Sequence, residues 1–267
     1  VQTCALPICG DSPAFVAAMH GRVELLRVLH QHGADLNKKN KDGMAPIHIA
    51  AQEARVDVIK LLNSFGADLN QIIDGAGASA AFIAALEGHD QVLRALHRCG
   101  ADLNKGNEDG MAPIHVAATV GFVEVIKLLH SLDVDLGSAT NDGRTPVFFA
   151  AQEGQQPVLE YLIQSGAKIE TECKSTRREL LEFIEDLDSE ISMRMTKYLQ
   201  SHDVTEDDTP VSISPLSIAE IMGHKEIVKL LKNTKEKKNT HSASFFKGTS
   251  EVASEEIHFS GAAVKKK

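Results

Sequence analysis

Apolar residues along this chain fall into short groups that recur at a fixed distance. Over residues 56–64 the apolar Val58, Ile59, Leu61 and Leu62 interleave with polar Asp57, Lys60 and Asn63, the spacing of one helical face. Just before it, Pro46-Ile47-His48-Ile49-Ala50-Ala51 predicts a shorter helix whose small residues allow a close neighbour. Paired alanines return at Ala17-Ala18, Ala50-Ala51, Ala84-Ala85, Ala117-Ala118 and Ala150-Ala151, with steps of 33, 34, 33 and 33 residues. A period in this range marks one helix-turn-helix unit copied in series. Each copy is too small to bury its own apolar face, so stacking supplies the core and function lies on a surface.

The copies overlay residue by residue. The second reads Asp42-Gly43-Met44-Ala45-Pro46-Ile47-His48-Ile49-Ala50-Ala51, then Val58-Ile59-Lys60-Leu61-Leu62, then Gly66-Ala67-Asp68-Leu69-Asn70. The fourth repeats its opening as Asp109-Gly110-Met111-Ala112-Pro113-Ile114-His115-Val116-Ala117-Ala118, and the fifth as Asp142-Gly143-Arg144-Thr145-Pro146-Val147-Phe148-Phe149-Ala150-Ala151. These segments closely resemble the ankyrin repeat, over about residues 10–232. The resemblance implies an all-α solenoid of about seven units, built of paired antiparallel helices joined by β-hairpin-like finger loops.

The pattern also has a direct physical reading. Asp-Gly makes the turn because glycine accepts a positive φ. Ser12, Thr145 and Ser214 stand as N-caps before a proline at the first helical position. Ala45 and Ala112 cannot cap, at an expected cost of about 1 kcal/mol each. Gly33, Gly66, Gly100 and Gly166 are expected to end the second helices.

Unit boundaries are expected near 10–41, 42–74, 75–108, 109–141 and 142–174. Residues 211–232 repeat the pattern as Ser214-Pro215-Leu216-Ser217-Ile218-Ala219, with Glu220 in place of the second alanine, and read as a C-terminal capping repeat. Between them, 175–210 lacks the helix-opening motif, yet Lys197–Val204 aligns with Lys127–Val134. A degenerate repeat with helices near 178–187 and 190–201 fits this register. One amphipathic helix carrying Leu180, Ile184, Leu187, Ile191, Met195 and Tyr198 is the alternative. Residues 233–267, rich in Lys, Ser and Glu, are expected to be disordered, with Phe245-Phe246 as an unused pair. At the other end, residues 1–8 look like a translated sequencing adaptor, so 1–9 are set aside as an artefact and the chain is expected to be a fragment. A first repeat without an N-terminal neighbour would expose Phe15, Val16 and Leu25 and self-associate weakly, the protein being otherwise a monomer.

Charge narrows the partner. The formal net charge is −9, and the segment from Asn233 onward holds seven Lys and four Glu, a net +3, which leaves −12 on the remainder. An acidic body disfavours nucleic acid and favours a basic or amphipathic protein segment. No stretch approaches the roughly 18 apolar residues of a membrane span. Cys99 and Cys173, outside the suspected artefact, make no disulfide framework, which suits the cytoplasm, with the nucleus also open.

Candidate chemistry is thin. His48 and His115 fill the signature position, and His89 and His224 follow the turn between helices, all as structural groups. His97 and Cys99 lack further zinc ligands, Gly75 and Gly77 recur as turn residues, and Glu182, Glu185, Asp186, Asp188 and Glu190 lack calcium-loop spacing. No nucleophile, base and orienting acid assemble, so no catalytic, cofactor or metal site is expected.

The resemblance implies a noncatalytic scaffold that binds a protein or peptide on the concave side formed by fingertips and first helices. Carried over position by position, that face holds Met19 and His20; Lys41, Asp42, Met44, Gln52 and Glu53; Ala78, Leu86 and Glu87; Glu108, Asp109, Met111, Thr119 and Val120; and Asn141, Asp142, Arg144, Gln152 and Glu153. Met44, Leu86, Met111 and Val120 would form an apolar strip flanked by carboxylates. The alternative function is a regulatory or targeting segment of a longer enzyme, channel or effector truncated upstream. Asn37, Asn70 and Asn104 resemble the sites that an asparaginyl hydroxylase modifies in ankyrin repeats, against the simpler reading that asparagine suits that turn.

Overall fold

The computed structural model describes residues 10–184 and 187–250, with side chains as far as residue 237. Five helix pairs follow one another: α1 (Pro13–Met19) and α2 (Val23–Gln31), α3 (Pro46–Gln52) and α4 (Val56–Ser64), α5 (Ala80–Leu86) and α6 (Asp90–Arg98), α7 (Pro113–Val120) and α8 (Val123–Ser131), α9 (Pro146–Gln152) and α10 (Gln156–Gln164). Strand β1 (Cys173–Thr176), helices α11 (Arg177–Ile184) and α12 (Ser189–Ser201) and strand β2 (Pro210–Ile213) come next, followed by α13 (Pro215–Met222) and α14 (Lys225–Ser250). The chain forms two units, Val1–Val228 and Lys229–Lys267, and the packing below belongs to the first.

Capping fixes where the first helices start. Ser12, Thr145 and Ser214 accept from the backbone N–H three residues on, and Ser79 does the same for α5 at 3.2 Å, a cap hidden by the absence of a following proline. Ala45 and Ala112 are not left bare. The Nδ1 atoms of His48 and His115 accept their N–H groups at 2.9 and 3.0 Å, the reciprocal half of a capping box, which offsets the penalty expected there.

Packing follows the periodic pattern. Helices α1, α3, α5, α7 and α9 form one row and α2, α4, α6, α8 and α10 a second. The paired alanines are all but inaccessible, so first helices approach closely, while Leu26, Ile59, Leu62, Leu93, Leu96, Ile126, Leu129, Leu159 and Leu162 fill the second row. Each such side chain contributes about 1.5–3 kcal/mol on burial. The turn between helices needs a left-handed residue, which is glycine in most units and Ala54, at φ 54°, in the second.

A ladder of hydrogen bonds joins successive units. In three units the side chain opening the second helix reaches a carbonyl at the end of the previous first helix: Arg55 to Met19, His89 to Gln52 and Gln155 to Thr119, at 2.9–3.0 Å, whereas α8 opens with Phe122, which cannot donate. The next rung is His224 Nε2 to the Gln152 carbonyl at 2.8 Å, across 72 residues. Correspondingly, α13 packs directly on α9. The segment 175–210 therefore does not stack as a degenerate repeat between the fifth unit and α13, although its helices lie close to the expected spans.

The sheet register explains the excursion. In earlier fingers the N–H of Asn40, Asn107 and Thr140 bonds the carbonyl of Met44, Met111 and Arg144, closing a turn over 41–43, 108–110 and 141–143. In the sixth, Cys173 pairs with Ile213 and the antiparallel ladder runs on to Thr176 and Pro210. Residues 174–212 are thus one fingertip enlarged to carry α11 and α12. Helix α12 then packs on α13, and Tyr198 donates its hydroxyl to the Ser212 carbonyl at 2.9 Å. The fourteen described helices make seven pairs, of which α11 and α12 are carried by the sixth finger, and α12 packs on α13 at the end of the series.

Two further expectations change. Helix α14 continues through Ser250, past the boundary at 232, with no proline after Leu231 to end it. Phe246 and its neighbour lie beyond the described side chains, and 1–9, 185–186 and 251–267 lie outside the described residues. In the first pair Phe15 is buried; the apolar side chains left exposed are Leu25 and Val28.

Candidate partner-binding face

Fingertips are held by side chains that stand four residues before each tip. Asn40 Oδ1 accepts from Asp42 and Met44 N–H at 3.0 and 2.9 Å, and Asn107 Oδ1 from Asp109 and Met111 at 3.1 and 2.8 Å. In the fifth finger Thr140 takes this place, accepting from Arg144 N–H at 3.0 Å and donating to the Asp142 carboxylate. Met44, Met111 and Arg144 are therefore equivalent tips on fixed backbone. The sequence reading missed Asn40 and Asn107, although asparagine two residues before Asp-Gly is an Asx-turn signal. Neighbouring fingers interlock: Asn141 donates its N–H to Asp109 and its amide to Glu108, at 2.9 and 2.7 Å. A Cβ at Gly43 would stand 2.5 Å from Asp74 N, so the second finger rests against the third with no room for a side chain.

Two clefts flank the Asp142–Arg144 pair. One, of about 240 Å³, lies between the fourth and fifth fingers and gathers Asp109, Met111, Asn141, Asp142 and Arg144 over Phe149. The other, of about 290 Å³, has Asp142, Arg144 and Gln152 on one side and α11 on the other. Arg144 pairs with Asp142 and stands 5.7 Å from the centre of the Phe149 ring. Burial works to raise the Asp142 pKa, but hydrogen bonds from Arg144 and Thr140 and the guanidinium charge outweigh it, and the carboxyl lies below its ordinary value. The ridge between the clefts is charged internally and neutral as a pair.

Of the remaining positions only Gln152 lines either of these two clefts. Leu86 and Val120 are 41% and 39% exposed at the ends of α5 and α7, and Met19, Met44, Met111 and Thr119 are half-buried. Lys41, Asp42, Gln52, Glu87, Glu108, Asp109 and Glu153 are exposed, as is His20 at the end of α1; Glu53 reaches Arg55 at 3.9 Å. Ala78 is buried and offers no surface, and Gln152 is buried with its amide on Glu153 at 2.9 Å.

The asparagines read as modification sites serve the loop bases. Asn37 Oδ1 accepts from Asp68 N–H and Asn70 Oδ1 from Asp102 N–H, both at 2.9 Å, tying each loop to the next. Asp35, Asp68 and Asp102 in turn accept from Asn37, Asn70 and Asn104. Among the described residues no three metal-binding side chains gather, and no helix is long and apolar enough to cross a membrane. Burial, with the Asp142 charge behind it, pushes the Cys173 thiol up to about 11, so it stays protonated at neutral pH.

Stacked helix pairs with interlocked fingers define a helical repeat protein. Two family models, described as ankyrin repeats (many copies) and ankyrin repeats (3 copies), match residues 14–63 and 81–173, together just over half of the chain. The chain belongs to the ankyrin-repeat family, whose members generally mediate protein–protein interaction and are typically noncatalytic. No curated protein matches it in sequence.

Proposed function

We propose that this protein is a noncatalytic scaffold that binds a protein segment along its fingertips and first-helix ends. The observation that carries the reading is the cleft where Asp109, Met111, Asp142 and Arg144 converge over Phe149; Leu86 and Val120 are exposed besides, at the ends of α5 and α7. Methionine and leucine beside charge suit an adaptable apolar anchor. Asp42, Glu87, Glu108, Asp109 and Glu153 outnumber Lys41 along the edge once Arg144 is matched to Asp142, which favours a basic, amphipathic segment. Changing Asp109 and Glu153 together to Lys in the full chain is expected to weaken capture of the partner from a lysate of the source cells by about tenfold or more at low salt. Unchanged recovery of the same proteins by the variant would remove the acidic edge from the interaction.

A further inference from the structure

The cleft between the fourth and fifth fingers has an aromatic floor that the earlier units lack. The residue equivalent to Phe149 is Val16, Ile49, Ile83 and Val116 in the first four units. Met111 adds a polarizable wall. The acceptors on the rim are unequally used. Asp142 accepts from Thr140 on Oδ1 and from Arg144 on Oδ2. Asn141 donates its amide to the Glu108 carbonyl at 2.7 Å, and since a carbonyl only accepts, that bond fixes Oδ1 as the outward acceptor. A Cβ at Gly110 would stand 2.7 Å from this oxygen, so only glycine there leaves it clear. Neither Asn141 Oδ1 nor the exposed Asp109 carboxylate receives a donor among the described residues. Of the charged lining residues Asp142 and Arg144 match each other, and Asp109 is left unmatched beside exposed Glu108.

We propose that this cleft is the anchor site for an arginine side chain of the partner segment, its methylene stem on Phe149 and Met111 and its guanidinium on the Asp109 carboxylate and Asn141 Oδ1. The stem is apolar and the head carries five donors in a planar fork, which suits an apolar floor with acceptors on one side only. The Asp142–Arg144 pair, already closed on itself, forms the opposite wall and leaves the guest's charge to Asp109. The proposal rests on the finger-edge reading and deepens it: the basic segment along the edge is fixed in register by one arginine at the fourth and fifth fingers.

The test uses the full chain with labelled methionine methyl groups and three small probes, the Nα-acetyl methylamides of arginine, of citrulline as its neutral isostere, and of lysine. The expected result is a saturable shift of the Met111 methyl resonance, with arginine binding about threefold more tightly than citrulline at low salt and about twofold more tightly than lysine. Met44, the equivalent tip in the unit that carries Ile49, should not move. Asp109→Asn should erase the preference for arginine over citrulline while leaving the affinity for citrulline as it was. Asp109 is exposed enough to change without unfolding, which the thermal midpoint of the variant checks. Absence of a saturable shift at Met111, or an arginine preference indifferent to Asp109→Asn, overturns the site; lysine binding as tightly as arginine overturns the proposed occupant. Loss of partner capture on reversing Asp109 and Glu153, with no binding of the arginine probe, would keep the acidic edge and overturn the anchor. Binding of the probe with capture unchanged would keep the anchor site and remove the edge.

Discussion

Replacing Met195 with Ala is expected to destabilise the C-terminal end of the series by about 2–5 kcal/mol, the range for emptying a filled core position. Met195 is wholly inaccessible on α12, the helix that packs on α13 and stands where a further repeat would otherwise be needed. Ile218, Ala219 and Ile221 of α13 are themselves buried, 2% exposed or less. In a linear stack each unit is held by its neighbours, so damage at one end frays that end first. Hydrogen exchange should therefore quicken in α11–α13 while α3–α8 keep their protection. Uniform loss across all units would show that the stack folds as a single block, and no change would show that α12 does not support α13.

The second large effect falls on His48 and His115, both wholly buried. Each ring accepts the N-cap N–H on Nδ1, which places the proton on Nε2, and that atom donates to the carbonyl of Gln71 or Ser138 at 2.9 Å. Only the neutral ring can do both. Burial, opposed by the bond to the Gln71 or Ser138 carbonyl, lowers both pKa values below the ordinary 6.5. The folded state then binds fewer protons than the unfolded state. The rings' contribution is complete above about pH 6.5 and is lost as pH falls from there towards the folded values, at up to about 1.4 kcal/mol per pH unit for each ring. Exchanging both for Gln keeps the reach back to the N-cap but not the span to the next loop. The double variant should lose about 1–3 kcal/mol per site at pH 7.5 and show a flatter fall in stability between pH 7 and 5.5, read from denaturant midpoints at each pH. A slope equal to that of the unaltered protein would remove these histidines from its acid sensitivity.

The frame of the molecule is written in local sequence, because each unit states its own turn, cap, small pair and apolar stripe. Ala84-Ala85 or Leu61-Leu62 can be placed without knowing what they touch. The sixth finger defeats that logic. From Ala150 to Ala219 the spacing is about twice the period, so the excursion has the length of one more unit. Its second helix even ends like a true one: Asp203 and Asp133 both take left-handed backbone, at φ 54° and 61°, and Val204 and Val134 bond the carbonyls of Leu199 and Leu129. What separates an inserted hairpin from a stacked repeat is the pairing of Cys173 with Ile213 and the reach of His224 to Gln152, contacts across 40 and 72 residues that no local pattern encodes.

Legibility of the candidate face divides the same way. Alignment places Met44, Met111 and Arg144 at equivalent tips, and the asparagine and threonine that hold them there were readable in principle. The clefts were not. They depend on Phe149 standing beneath the fourth and fifth fingers, and on Leu180 and Phe183 arriving from an excursion whose position only the folded chain defines.

The most direct measurement is a hydrogen-exchange footprint of the full chain with and without its captured partner. Protection is predicted at the tips around Met44, Met111 and Arg144 and at the helix ends carrying Leu86 and Val120, while α2, α4, α6 and α8 exchange as in the free protein. A footprint confined to those second helices, or absent from the fingers, would contradict the edge as the working surface.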